Sequence, residues 1–450
     1  MSVQGLLRLT VLILAIILPW SAMHSFPVSH FKKESNLASG RWVKIEVGEN
    51  GVYELTREEL ALMGFDNPAE VKVFGAGGHA LPESITLVGK DDVEQVPTML
   101  TSDDKVCFYA NGICDIDVVN YYSSPYFSIT KNPYSSHGYY FVTDDERFTR
   151  LEPEVRQYAG SGGTEAVIES YAFCYHEQEL VSPSQTGKNF LGEDITASRK
   201  YSGVMNMPNI VAGSEINLQV GIGADVTERT VVTAMIEGMD VDFISGTDIL
   251  NVPADEYVFY DECQARGMVG PEDWSDVALL EIALECDGIV NEAFLDYYLA
   301  TYRQNNVMPD GESQLRLDFE ELLTSSEVVV RNVSDKMTVW QIDDVQHPVE
   351  CRFAYDDSAR ELKFSHGRKT SWSTYVVFNP EQELKKISRF EHIPNQNLHA
   401  LETPDYVIIT TTGLEREAGR IADIHREKDG MNVAVVDQQL VFNEFSSGAT

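Results

Sequence analysis

Cysteine, histidine and acidic side chains are the reactive groups this 450-residue chain has in hand: six Cys, ten His and 71 Asp plus Glu. Their spacing decides what chemistry they can do. His176-Glu177-Gln178-Glu179-Leu180 begins like a zinc-protease helix, but that site needs a second imidazole four residues on, on the same helical face. Leu180 stands there instead, and the pattern predicts no metal. Cys107, Cys114, Cys174, Cys263, Cys286 and Cys351 include no Cys-x-x-Cys pair and no strand end followed by glycine, the settings in which a thiolate is favoured. Cys107 and Cys114 flank an Asn111-Gly112 hairpin signal, yet a two-residue turn would put Cys107 opposite Ile116 rather than Cys114. Buried apolar filler is the expected role for most of the six, and their low density argues against a disulfide scaffold.

Other motifs reduce to structure in the same way. A Gly-x-Ser-x-Gly elbow and a Walker-type loop are absent from the sequence. Gly75-Ala76-Gly77-Gly78 follows an apolar run, Val71–Phe74, and resembles a phosphate cradle. A cradle needs a helix opening directly after the glycines. His79-Ala80-Leu81-Pro82 cannot open one, so a tight, glycine-dependent turn is expected. Asp343-Asp344 and Asp356-Asp357 lack the spaced oxygen ligands of a calcium loop and read as exposed turn residues. Tyr297, Tyr298 and Tyr302 read as core or inter-sheet aromatics rather than a ligand platform. The sequence thus predicts no catalytic residue, no metal site and no cofactor site within the chain.

The elements around these residues are mostly short strands. Residues 37–160 read as a β-rich N-terminal domain with one short helix, opened by a Thr56/Glu59 capping box, carrying Leu60 and Met63 inward and stopped by Gly64. A glycine-rich break at 160–164 ends it. Residues 165–395 read as an antiparallel β-sandwich, with the clearest alternation at 216–220, 231–236, 280–284, 294–302, 315–319 and 374–378. Residues 404–450 change character. Tyr406–Thr410 has the composition of a strand buried on both faces. Leu414, Ala418, Ile421, Ala422 and His425 keep helical spacing up to a Gly430 C-terminal cap, and a second apolar run follows at 433–436. His425 and the basic residues beside it suit the negative end of that helix. Strand, helix, strand implies a parallel crossover, the first βαβ unit of an α/β domain.

The run PDYVIITTTGLEREAGRIADIHREKDGMNVAVVDQQLVFNEFSSG resembles the opening of the peptidase domain of the gingipain-type cysteine peptidases, in the branch that serves type IX secretion as a sortase. GRWVKIEVGENGVYELTREELALMGF, FLDYYLATYR, TVWQIDDVQHPVE and IPNQNLHAL resemble the same branch, so the likeness runs from about Leu37 to Thr450. It implies a mainly β protein ending in the first crossover of a truncated caspase-like α/β domain. It also implies a thiolate nucleophile and an activating imidazole, on loops farther downstream than Thr450, so that no residue here inherits either role. The activity implied is removal of a C-terminal sorting domain from secreted cargo and attachment of that cargo to surface lipopolysaccharide. The partners implied are an outer-membrane β-barrel of the PorV kind and the cargo proteins. A non-catalytic docking or protein-binding module is the alternative. The two crossover strands, with no further strands to pair with, are expected to leave the segment after about Leu401 mobile or prone to aggregate.

Residues 1–25 read as a cleaved signal peptide, with Arg8 before the apolar stretch Leu9–Leu18 and small residues near Ser21, Ala22 and Ser25. That stretch is short for a membrane span, and no transmembrane helix is expected once it is removed. Export to the cell surface by way of the periplasm, with outer-membrane association, follows from signal and resemblance together. The formal net charge of −37 argues against nucleic acid, which needs basic patches, and against broad contact with anionic lipid.

Overall fold

The computed structural model describes residues 31–82, 91–121, 124–160, 166–183, 185, 187, 189–251, 260–320, 326–367 and 371–450. The signal segment 1–25 and residues 161–164 of the glycine-rich break lie outside them. The fold is mainly β.

In the N-terminal block, Trp42–Val47 pairs antiparallel with Gly138–Thr143 on one side and with Arg389–Ile393 on the other. Lys72–Phe74 and Gln95–Val96 complete a five-stranded sheet. A three-stranded sheet of Gly51–Leu55, Val106–Ala110 and Met99–Leu100 covers it. Val43, Ile45 and Val142 from one sheet meet Leu55, Val106 and Phe108 from the other in a continuous core. The helix Arg57–Leu62 has both halves of the expected capping box. Thr56 Oγ1 accepts from the Glu59 amide at 3.2 Å and Glu59 Oε2 accepts from the Thr56 amide at 2.8 Å, while Leu60 is fully buried.

The Asn111-Gly112 hairpin signal is not used as a hairpin. Val106–Ala110 pairs with Gly51–Leu55, whereas Cys114–Tyr121 pairs with Ser124–Lys131 in a separate two-stranded arm. The reason is local crowding: a Cβ on Gly112 would lie 2.5 Å from the Gly48 carbonyl oxygen. The glycine lets one turn pass close over another.

The second block is built on one ten-stranded sheet. Glu169–Glu177, Val290–Asn305, Ser214–Val226 and Asp261–Glu272 form one half, and Lys200–Asn206, Val277–Glu285 and Thr230–Ile236 of a smaller sheet pack on it. Gln314–Phe319, Ser373–Phe378 and Thr338–Gln341 form the other half, covered by Ser326–Arg331 and Glu361–His366. The block is therefore two sandwiches that share a sheet. The period of two is plain in Val277–Glu285, where Ala278, Leu280, Ile282 and Leu284 are buried and the residues between them face outward.

Besides the pairing of Trp42–Val47 with Arg389–Ile393, further contacts tie the blocks together. Glu154–Arg156 pairs parallel with Val349–Cys351 at one edge of the long sheet. Val52, Cys107 and Tyr109 pack against Trp340, Val376 and Phe378 on its outer face. The arm's strand Ser124–Lys131 crosses the other half, held by side chains instead of a ladder: Gln219 Nε2 donates to the Phe127 carbonyl at 2.6 Å, Asn217 Nδ2 to the Pro125 carbonyl at 2.9 Å, and the Phe127 amide to Thr301 Oγ1 at 3.0 Å.

The crossover forms as the sequence predicts. Tyr406–Thr410 and Val433–Asp437 pair parallel, with the helix Glu415–Ile424 between them. A π-turn, His425–Asp429, leads to Gly430 in the left-handed conformation at φ 66°. A further helix, Gln438–Phe445, starts at Asp437, whose Oδ1 accepts from the Gln439 amide at 2.7 Å. Among the described residues no helix is long and apolar enough to cross a membrane.

Candidate functional site

In open parallel sheets, ligands bind beyond the carboxyl ends of the strands, so the crossover's carboxyl edge is the place to look for chemistry. Thr410 and Asp437 end the two strands. Gln438 Nε2 donates to Thr411 Oγ1 at 3.3 Å, Thr412 Oγ1 to Asp437 Oδ2 at 3.4 Å, and the Gly413 amide to Glu415 Oε2 at 2.8 Å. These hydroxyls and amides can bind a polar group. Asp437 is committed to its helix cap, and among the described residues no thiol or imidazole stands beside them. His425 lies at the opposite end, its ring edge-on to Tyr406 and its Nδ1 2.7 Å from Asp429 Oδ2. That is the structural role expected of it.

The strand faces depart from expectation. Tyr406, Val407 and Ile409 are 41, 47 and 59 % exposed. The helix Glu415–Ile424 covers one side through Ala418 and Ala422, and among the described residues nothing covers the other. The residues after the second strand make buried polar contacts with the N-terminal block. Ser447 Oγ donates to the Tyr139 carbonyl at 3.0 Å and accepts from the Ala76 amide at 2.9 Å. Lys44 Nζ donates to the Gly448 carbonyl at 3.0 Å and lies 3.9 Å from the Tyr139 ring centre. Burial pulls the Lys44 ammonium down to about 8, against the opposing pull of Glu391 and Glu46. Glu444, fully buried, accepts from the Leu398 amide at 2.8 Å and from Gln396 Nε2 at 3.0 Å, and faces His399 Nδ1 at 2.6 Å.

The glycine turn makes this docking possible. A Cβ on Gly75, whose φ is 134°, would lie 2.7 Å from Ser447 Oγ, and one on Gly77 would lie 2.5 Å from the Asn111 carbonyl oxygen. The turn read from Gly75-Ala76-Gly77-Gly78 is present, and its use is close approach to the residues after the last helix. Beside it lies a cavity of about 400 Å³, walled by residues 75–77, 79–82, 344–346 and 444–447. Sequence reasoning passed over Lys44, His399, Glu444 and Ser447, because the spacing of single polar residues carries no sign of a contact made hundreds of positions away.

The remaining candidates sit in structural settings. All six cysteines are free thiols. Burial pushes Cys107 and Cys263 up to about 12, Cys351 up to about 11, and Cys114 and Cys174 upward too, away from the thiolate a nucleophile needs. Cys286 lies in a turn with its Sγ 4.0 Å from the Glu228 carbonyl. His176 is on a strand, not a helix, bonded to Glu193 Oε1 at 2.7 Å and stacked on Tyr298 at 5.1 Å. Tyr298 and Tyr302 are buried in the sandwich core. Asp343 accepts from the Thr374 amide and Gln341 Nε2, and Asp356 from the Ser358 and Ala359 amides, so both acidic pairs sit at turns. On the outer face of the long sheet, Glu177, Glu179, Glu262 and Asp296 share a cleft with Lys131. Burial, then the charge of Glu177, pushes the Asp296 carboxyl up to about 7.

Comparison with known proteins bears on the same two regions. The model of peptidase family C25 matches residues 399–450, which include the whole crossover. No curated protein sequence matches the chain. The crystal structure of dimeric latent PorU from Porphyromonas gingivalis superposes with a TM-score of 0.80 at 26 % identity, over 93 % of this chain and 39 % of that one. A cycloisomaltooligosaccharide glucanotransferase from Paenibacillus sp. aligns at 7 % identity and a TM-score of 0.15, over 39 % of this chain and 40 % of that one. BuGH86 in complex with neoagarooctaose aligns at 9 % and 0.19, over 59 % and 32 %. The last two scores carry no argument. The chain is PorU-like over nearly all its length and spans about two fifths of the PorU chain it matches.

Proposed function

We propose that this chain is the N-terminal, β-rich part of a PorU-like sortase of the type IX secretion system. In this reading the complete protein is a cysteine endopeptidase and transpeptidase at the cell surface, associated with the outer membrane. It removes the C-terminal sorting domain of secreted cargo and joins the new carboxyl end to lipopolysaccharide. The observation that supports this best is the likeness to PorU across 93 % of the chain, reinforced by the C25 match over the crossover. An acyl-enzyme accounts for both activities, because a thioester can be taken by an amine as well as by water. The nucleophile and its base then stand at the carboxyl ends of further parallel strands. The residues described here act on them indirectly: Lys44, Ser447, His399 and Glu444 fix the first crossover against the β-rich body, and so fix the edge on which the site is built. Disrupting the gene should leave cargo proteins carrying their sorting domains, as read from their C-termini by mass spectrometry. Unchanged processing would contradict the proposal.

A second reading has one observation in its favour. On the outer face of the smaller sheet, Val204 and Leu279 are cross-strand partners, Val277 follows on the same face, and the three are 62, 44 and 55 % exposed. Such a patch suits a non-catalytic docking module for an outer-membrane β-barrel of the PorV kind or for cargo. Val204→Glu should then abolish recovery of the partner from membrane extract while leaving the urea unfolding midpoint of the purified chain unchanged, and undiminished recovery would contradict this reading.

A further inference from the structure

A second cavity, of about 300 Å³, opens where the N-terminal block, the arm and the long sheet meet. It stands at the small end of the range for ligand sites, about 300–1,000 Å³. Each of the three elements gives it a different group. From the N-terminal block comes Asn111, directly after the strand Val106–Ala110. Its backbone amide donates to the Tyr140 hydroxyl at 2.9 Å. The residue is 2 % exposed, yet among the described residues its side-chain amide has no hydrogen-bond partner. A buried amide left unpaired is costly, and a ligand that met it in the cavity would remove that cost.

The arm contributes Asp115 and Asp117, two apart on one strand and so on the same face. Asp115 Oδ1 lies 3.7 Å from His79 Nδ1, but burial holds that imidazole below its ordinary range, so it offsets little of the charge. Asp117 pairs with no cation among the described residues. The long sheet contributes Arg316, Asp318 and Trp372. Arg316 is the one permanent cation among the described residues of the wall. Its charge is already engaged: Nε and Nη2 lie 2.7 and 3.0 Å from the two Asp318 oxygens, and the Tyr109 hydroxyl takes a further bond from it. Trp372, half-buried with its ring centre 5.2 Å from that of Tyr171, adds an aromatic surface.

These walls sort ligands by charge. An anion would meet Asp115 and Asp117 with no free cation to hold it. A neutral hydroxylated ligand would satisfy Asn111 but leave Asp117 uncompensated. A metal ion needs converging ligands, and among the described residues no three His, Cys, Asp or Glu side chains are grouped to hold one. An organic cation uses every wall. Its N–H groups pair with the arm carboxylates and donate to the Asn111 side-chain oxygen, and tryptophan offers the best ring face for a cation. We propose that this cleft binds an organic cation, an ammonium or guanidinium group carried on a short alkyl chain. Val118 and Val345, also in the wall, suit the alkyl part. The proposal goes beyond the sortase reading and is independent of it, since it needs no peptidase activity.

Calorimetric titration of the purified chain with n-butylguanidinium, n-butylammonium and neutral n-butylurea tests it, at low and at physiological ionic strength. At least one of the two cations should bind saturably and one-to-one, more weakly in the higher salt, and the urea should not bind. Asp117→Asn and Trp372→Leu should each weaken binding about tenfold or more. Asp117 is exposed, so its variant should keep the wild-type urea unfolding midpoint. Glu262→Gln, in the other acidic cleft, should leave binding unchanged. Failure of both cations to bind, equal binding of the urea, indifference to Asp117→Asn, or an equal loss in Glu262→Gln would overturn the proposal.

Discussion

At the scale of single residues, the charged groups that matter are the buried ones. Asp296 is the clearest case, a carboxyl whose folded value of about 7 lies far above its ordinary 3.8 because it is buried beside Glu177. A group raised in this way contributes stability below its unfolded value and loses it as the pH rises through the folded one. The native protein should therefore lose stability between about pH 4 and 7 on account of this residue. Asp296→Asn should be neutral near pH 4 and stabilising by about 1–3 kcal/mol at pH 8, as read from urea unfolding at the two pH values. The cysteines make a second prediction. With Cys107, Cys263 and Cys351 buried and their thiols pushed upward, a thiol-directed peptidase inhibitor should label none of the six stoichiometrically in the 450-residue chain. Rapid one-to-one labelling of any of them would contradict the view that these thiols are packing groups.

The elements divide into those the sequence announces and those it does not. The helix at Arg57–Leu62 was legible because its start signal is local: Thr56 and Glu59 satisfy each other's backbone within one turn. Val277–Glu285 was legible because a period of two is local too. The strand pairings were not. Trp42–Val47 finds Arg389–Ile393, and the arm's Ser124–Lys131 lies across Ser214–Val226, by complementarity between segments far apart in the chain, and alternation says which face is buried but not which strand is the neighbour. For the same reason the shared ten-stranded sheet was read as one sandwich. At the crossover, the exposed strand faces and the open side of Glu415–Ile424 contrast with the docked residues 438–450. Limited proteolysis should cut first between Gly413 and Gly430 and leave 438–450 associated with the body. First cuts after 438 would show that the docking is weak. Gly75→Ala puts a Cβ where Ser447 Oγ now sits, at a φ that L-residues avoid; the strain, about 1–3 kcal/mol, should reverse that order of cutting.

At the scale of the whole molecule, the β-rich blocks behave as one body because their interfaces are core-like. Trp340, fully buried and edge-on to Phe378 at 4.8 Å, joins the long sheet to Val52 and Tyr109 of the N-terminal block. Onto this body the residues that follow the crossover are docked by a small set of buried polar contacts. A purified product of the complete gene, incubated with cargo that retains its sorting domain, tests that account most directly, with C-terminal mass spectrometry as the readout. The account predicts release of the sorting domain and its loss on alkylation of the thiol; no release, or release indifferent to alkylation, would contradict it.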